Sequence, residues 1–231
     1  MKLALIGYGK MGKTIHEIAK ENGDEISFII DKENAEDLKK ITAGNTDVAI
    51  EFSNPESAFS NLSYCINNRI PVVSGTTGWL NKYDEVKQLC EEKVSAFMYA
   101  SNFSIGVNVF FEVNKFLAEK MKKYNDYKLY MEEIHHTEKL DAPSGTAITL
   151  AEGIIEKNDR FQVVESMDIV SKRIGKTPGT HIIKYESEVD SIEIKHEANS
   201  RLGFAKGAYE AAKWLKDKKG VYSIQDMLFG E

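Results

Sequence analysis

Leu3-Ala4-Leu5-Ile6-Gly7-Tyr8-Gly9-Lys10-Met11-Gly12 is the stretch on which the fold turns. Four apolar residues run straight into G-x-G-x-x-G, and Met11, Ile15, Ile18 and Ala19 then recur at helical spacing. A short apolar run closed by glycine reads as a buried strand, and the change of period reads as strand, tight turn, helix. In that context each glycine has a task. Gly7 permits the turn, Gly9 lets the backbone approach a pyrophosphate, and Gly12 lets helix and strand pack closely. The helix start offers unpaired N–H groups and a partial positive charge to an anion.

The same alternation continues outward. Glu25 to Asp31, Asp47 to Ser53, Ile70 to Ser74 and Ser95 to Ala100 read as further strands. A helix opens at Pro55 behind an Asn54 cap, and another lies around Lys82 to Glu92. Strand–helix repetition predicts a parallel sheet covered on both faces. Asp31 closes the second strand about 20 residues past the glycines, where an acid binds ribose hydroxyls. That acid favours NADH, while Lys32 beside it could accept the 2′-phosphate of NADPH. Gly75-Thr76-Thr77-Gly78 follows the fourth strand; it reads as a ligand loop offering hydroxyls, or as a plain turn. Ala100-Ser101-Asn102-Phe103-Ser104 ends the next strand, at the position expected for the nicotinamide end.

After Asn102 the pattern changes to α+β. Helices are expected over Gly106 to Lys122 and Ser144 to Lys157, and strands over Tyr127 to His136, His181 to Val189 and Ser191 to Ala198. The last two strands read as an antiparallel hairpin. Gly207 to Leu215 is helical again, and Asp159 to Pro178 is the least periodic stretch and is expected to include a mobile loop.

Bulk properties exclude several classes. A chain of 231 residues is long enough for one large domain or two small ones. A net charge of −6 without a basic stripe argues against nucleic acid and against an anionic membrane surface. No apolar run approaches the ~20 residues needed to span a bilayer. Cys65 and Cys90 fit no ligand spacing and no disulfide framework, so the cytoplasm is the expected compartment.

Chemistry concentrates in Glu132-Glu133-Ile134-His135-His136-Thr137-Glu138-Lys139-Leu140-Asp141-Ala142-Pro143-Ser144-Gly145-Thr146-Ala147. Successive strand residues face opposite sides, so His135 and His136 have different jobs unless the strand has already ended. Ser144 is a good N-cap, and the N–H groups of Gly145 and Thr146 behind it, with Lys139 nearby, would hold a carboxylate. A histidine is suited to proton transfer near neutral pH. The histidine pair is compatible with a metal, yet no spaced Asp, Cys or His completes a set, so no metal is expected.

This segment resembles the dihydrodipicolinate reductase signature E-x-x-H-H-x-x-K-x-D-A-P-S-G-T-A. The glycine fingerprint, Gly75–Gly78, Asn102-Phe103-Ser104, the basic loop from Arg173 through Gly179-Thr180-His181, and the tail Phe204-Ala205 to Trp214-Leu215 are similar as well. Asp159 to Lys172 matches least. The resemblance implies an α/β Rossmann dinucleotide-binding domain, residues 1–103 with 204–231, and an α+β substrate and tetramerisation domain, residues 104–203. It implies NADH- or NADPH-dependent reduction of a cyclic imine dicarboxylate in lysine biosynthesis by a homotetramer. His135 would be the general acid/base and Lys139 the second proton donor. His136, Lys139, Ser144, Gly145 and Thr146 would bind substrate carboxylate. Gly7, Tyr8, Gly9, Lys10, Met11, Gly12, Asp31, Lys32, Gly75, Thr76, Thr77, Ala100, Ser101, Asn102 and Phe103 would bind cofactor. Two other readings compete: an aspartate or homoserine dehydrogenase type, and a catalytically idle nicotinamide sensor.

Overall fold

The computed structural model describes residues 1–200 and 202–230. They fall into two compact units: Met1–Ile105 with the segment from Leu202 onward, and the segment between.

In the first unit, β1 (Lys2–Ile6), α1 (Lys10–Glu21), β2 (Glu25–Ile30), β3 (Val48–Glu51), α2 (Pro55–Asn67), β4 (Val72–Ser74), α3 (Tyr83–Lys93) and β5 (Ala96–Tyr99) follow in order. All strand pairs are parallel. Side chains alternate across β1, as strand geometry requires. Leu3 and Leu5 pack with Ile15, Ile18 and Ala19 of α1, while Ala4 and Ile6 pack on the other face with Ala58, Leu62 and Ile66 of α2. With both faces covered, β1 and β3 bury nearly every residue, which is why they read as unbroken apolar runs. The Asn54 side chain caps α2 by accepting from the Ser57 N–H at 2.9 Å, with Pro55 in the first turn as expected.

The second unit contains α4 (Ile105–Met121) from its second residue on, β6 (Lys128–His135), α5 (Gly145–Lys157), β7 (Ile169–Arg173), β8 (Thr180–Glu186) and β9 (Ser191–Glu197). The sheet order is β7-β6-β8-β9, with β6–β7 parallel and the other pairs antiparallel. Phe110, Ala118 and Met121 of α4 and Leu150, Ala151 and Ile154 of α5 cover one face, against Met131, Ile183 and Tyr185. On the opposite face Tyr130 is exposed, and Ile134, Ile182 and Lys184 are half-buried.

The tail returns to the first unit as α6 (Leu202–Leu215), β10 (Gly220–Tyr222) and α7 (Ile224–Phe229). The completed sheet runs β10-β5-β4-β3-β1-β2, so the chain reverses direction between β1 and β3. The carboxyl ends of those two strands form the topological switch point where such sheets bind ligands.

Three sequence expectations need correction. The stretch from Asp159 to Pro178 contains a strand that its lack of period did not announce: β7 lies inside it and pairs with β6 from Met131↔Ile169 to His135↔Arg173. As an edge strand ending Ser171-Lys172-Arg173, β7 shows no apolar alternation to read. The last long helix starts at Leu202, five residues before Gly207. Beyond it, β10 and α7 were not anticipated; α7 is opened by a Ser223–Asp226 capping box. Among the described residues no helix is long and apolar enough to cross a membrane.

Candidate active site

The glycine loop lies at the switch point, and its glycines answer to different constraints. Gly7 has φ +97, and a Cβ there would stand 2.0 Å from the Phe52 carbonyl oxygen. A Cβ on Gly12 would stand 2.2 Å from the Gly7 oxygen, where the first turn of α1 rests on the loop. Gly9 meets nothing within 4 Å. Two glycines are therefore required by the protein's own backbone, and the third leaves room. Gly9 caps α1 without a side-chain hydrogen bond, and no acid occupies the first turn. That leaves the positive end of the helix open to an anion.

A cavity of about 420 Å³ opens there, lined by Gly7, Gly9, Asp31, Lys32, Ser53 and Asn61 among others. Asp31 stands one residue beyond β2. Its N–H donates to Asn34 Oδ1 at 2.7 Å, and its Oδ1 accepts from the Lys32 N–H at 2.8 Å, which fixes the turn. Tyr8 donates or accepts at His16 Nδ1 over 2.7 Å, while Lys10 is exposed and Met11 half-buried.

Around the Gly75 loop, Gly75 is required because its Cβ would stand 2.1 Å from the Phe52 ring. The Thr76 hydroxyl does not face outward. It donates to the buried Glu51 carboxylate at 3.0 Å and accepts from the Ser53 N–H at 2.9 Å. Thr77 is exposed. Glu51, which sequence reasoning passed over, also accepts from the Ser74 hydroxyl at 2.7 Å and from the Ser53 hydroxyl. It ties the loops after β3 and β4 together. Ala100 and Phe103 belong to the core, where Phe103 lies under Gly207; Ser101 is exposed and Asn102 half-buried.

In the second unit the histidine-rich segment is organised around Glu133, which is fully buried. Glu133 and His135 are two apart on β6, hence on one face, and Glu133 stands opposite His181 on β8. His135 Nε2 is 3.4 Å from Glu133 Oε2 and 3.4 Å from His181 Nε2. Ser144 donates its N–H to Glu133 Oε2 at 3.1 Å, and its Oγ lies 3.2 Å from His181 Nε2. The same Oγ accepts from the Ala147 N–H, capping α5. Arg173 reaches Glu133 Oε1 at 3.3 Å and donates to the carbonyls of Lys139 at 3.2 Å and Asp141 at 2.6 Å. Lys139 is paired with both carboxylate oxygens of Asp141 at 2.8 Å.

Burial opposes ionisation of Glu133, yet hydrogen bonds from His135 and Ser144 outweigh it and hold the carboxyl well below the usual range. Burial, with His135 adjacent, pushes His181 down to about 4, so it is neutral at neutral pH. The result is a fixed anion beside two imidazoles, roofed by the Lys139–Asp141 loop and the start of α5. Gly145 is exposed and Thr146 half-buried at that helix start, which has no acid in its first turn. His136 is half-buried just past the strand.

Sequence reasoning named His135, Lys139 and Ser144 as candidates, and gave no role to their neighbours Glu133, Arg173 and His181. The two-residue spacing of Glu133 and His135 was a usable signal. The register that brings in His181 was not. Glu133, His135 and His181 each offer one nitrogen or oxygen atom within 4.8 Å of the others.

Residues 1–103 match the family described as dihydrodipicolinate reductase, N-terminus, and residues 106–228 its C-terminus. A 4-hydroxy-tetrahydrodipicolinate reductase of Christiangramia forsetii is 50% identical, over 99% of this chain and 98% of its own. One of Thermosipho africanus is 36% identical over the same shares. The dipicolinate-bound dihydrodipicolinate reductase from Paenisporosarcina sp. TG-14 superposes with a TM-score of 0.79 at 22% identity, over 99% of each chain, and shares the fold.

Proposed function

The chain belongs to the dihydrodipicolinate reductase family, and from that premise we propose how its residues carry out the family's reaction. The reaction is the NAD(P)H-dependent reduction of 4-hydroxy-tetrahydrodipicolinate to tetrahydrodipicolinate, in the diaminopimelate route to lysine. The dinucleotide supplies the hydride. What the chain supplies is binding, orientation and a proton.

Gly7 to Gly12 take the pyrophosphate on the open N-terminus of α1, and the space over Gly9 supports that fit. Asp31, held at the cavity rim by Asn34, takes the ribose hydroxyls and favours NADH, with Lys32 the group that tolerates a 2′-phosphate. Thr76 serves by fixing its loop through Glu51, leaving backbone and Thr77 to meet the cofactor together with Ser101 and Asn102.

A conjugated C=C–C=N ring that accepts a hydride gains negative charge, and a proton must neutralise it. The observation that carries the assignment is the buried Glu133–His135–His181 cluster beside the α5 start. Glu133, 3.4 Å from His135 Nε2, orients the imidazole that we assign as the general acid. Lys139 exchanges Asp141 for a substrate carboxylate and is the second donor. His136, Ser144 and the N–H groups of Gly145 and Thr146 bind carboxylate at the helix start.

The test is turnover with reduced cofactor and the condensation product of pyruvate and aspartate semialdehyde. Loss of reduced-nicotinamide absorbance is expected. Lys139→Ala should lower kcat about 10²-fold or more while cofactor affinity stays within about twofold. Cofactor binding with no turnover in the wild-type chain would favour a sensor instead. A homotetramer built on the half-exposed sheet face of Tyr130, Ile134, Ile182 and Lys184 is the assembly the second unit supports. A monomer by light scattering would reject it.

A further inference from the structure

The buried cluster of the second unit has a geometry that proton transfer alone does not require. The separations are 3.4 Å for His135 Nε2 to Glu133 Oε2, 3.4 Å for His135 Nε2 to His181 Nε2, and 3.8 Å for His181 Nε2 to Glu133 Oε2. Zinc bonds of about 2.0–2.2 Å to imidazole nitrogen and carboxylate oxygen set the corners of a tetrahedron about 3.3–3.6 Å apart. Three donor atoms from two strands therefore already stand close to one face of such a tetrahedron. A water would take the fourth corner, since the nearby Ser144 Oγ is engaged in capping α5.

The surroundings match what metal-bound carboxylates need. Arg173 holds the outer oxygen of Glu133, and the Ser144 N–H also donates to the inner one. Such outer partners orient a ligand and are part of a metal site's design. All three side chains are buried, so packing fixes them. Gly179 lies against the His135 ring closely enough that a Cβ there would stand 3.0 Å from it. Two imidazoles with one carboxylate suit Zn²⁺ or Co²⁺ rather than Mg²⁺ or Ca²⁺, which prefer all-oxygen sets.

We propose that Glu133, His135 and His181 bind one divalent transition ion of the zinc class, and that the ion switches the reductase off by occupying the His135 nitrogen. Binding follows from the geometry alone; the switch rests on the general-acid role of His135 proposed above. The ion and proton transfer compete for the same lone pair, so the metal-free chain is the active one.

Chelator-stripped protein is titrated with zinc chloride and, separately, with cobalt chloride. One zinc per chain should survive gel filtration, and the cobalt form should show the intense visible bands of four-coordinate Co²⁺. His181→Gln, which leaves Glu133 and His135 in place, should weaken zinc binding about tenfold or more. His16→Gln in the first unit should not. Absent retention, a pale six-coordinate cobalt spectrum, or equal affinity in His181→Gln overturns the metal site. The cobalt spectrum is read on the wild-type chain, so a misfolded variant leaves the test intact. Zinc should also lower turnover about tenfold or more, reversibly with EDTA, and full turnover with zinc bound overturns the switch. A metal-free chain without turnover would instead sink the reductase reading while leaving the cobalt spectrum unaffected.

Discussion

The glycine loop after β1 and the histidine cluster at the end of β6 are built on opposite principles. The loop works by missing atoms: Gly7 and Gly12 stand where a Cβ would strike backbone, and Gly9 stands where one would meet open space. The cluster works by crowded atoms, with Glu133, His135, His181, Ser144 and Arg173 each occupied by another. A site made of backbone is specified by local sequence and fails with the fold. A site made of side chains is specified by register and can fail alone.

The largest expected effect tests the second half of that contrast. His135→Gln should lower kcat about 10²- to 10⁴-fold, or about 3–5 kcal/mol of barrier, with the thermal midpoint little changed. A loss of activity that tracks loss of fold would erase the distinction. Gly7→Ala should do the reverse and destabilise the first unit by more than about 3 kcal/mol, because φ and contact are both prohibitive. Denaturant unfolding measures it. Gly9→Ala sharpens the comparison. It should leave unfolding unchanged and weaken cofactor binding about tenfold, read by fluorescence titration. If it destabilises the chain like Gly7→Ala, the glycines share one role. Asp31→Asn should move preference toward NADPH by about tenfold, and unchanged preference would assign the ribose to another group. The smallest effect compares the two helix caps. Asn54→Ala and Ser144→Ala should each cost about 1 kcal/mol, but only Ser144→Ala should also lower kcat/KM for the ring substrate.

The same contrast explains what was legible. Strands β1 and β3 are buried on both faces and announced themselves as apolar runs, and α2 was marked by Asn54-Pro55. Strand β7 was hidden because it is a charged edge, and β10 because it is three residues long. The Ser223-x-x-Asp226 box that opens α7 was readable but overlooked. In the site, His135, Lys139 and Ser144 lie in one continuous segment. Glu51 and His181 acquire meaning only through neighbours on other strands, Ser74 and Thr76 for one, Glu133 for the other. No local pattern encodes strand pairing, so no local reading could supply them.

The sheet of the first unit is finished by the chain's last elements: β10 pairs with β5, and Ala208, Tyr209, Ala212 and Leu215 of α6 fill the layer against α1. During synthesis the first five strands therefore emerge with one face of β3, β4 and β5 lacking the helix that covers it. At about 5–20 residues per second, the ribosome takes roughly 5–20 s to deliver the hundred or so residues before α6. Meanwhile the contiguous second unit has everything it needs to fold. A nascent chain caught in that interval exposes Ile50, Val73 and Met98, which makes chaperone demand a property of where the tail was placed.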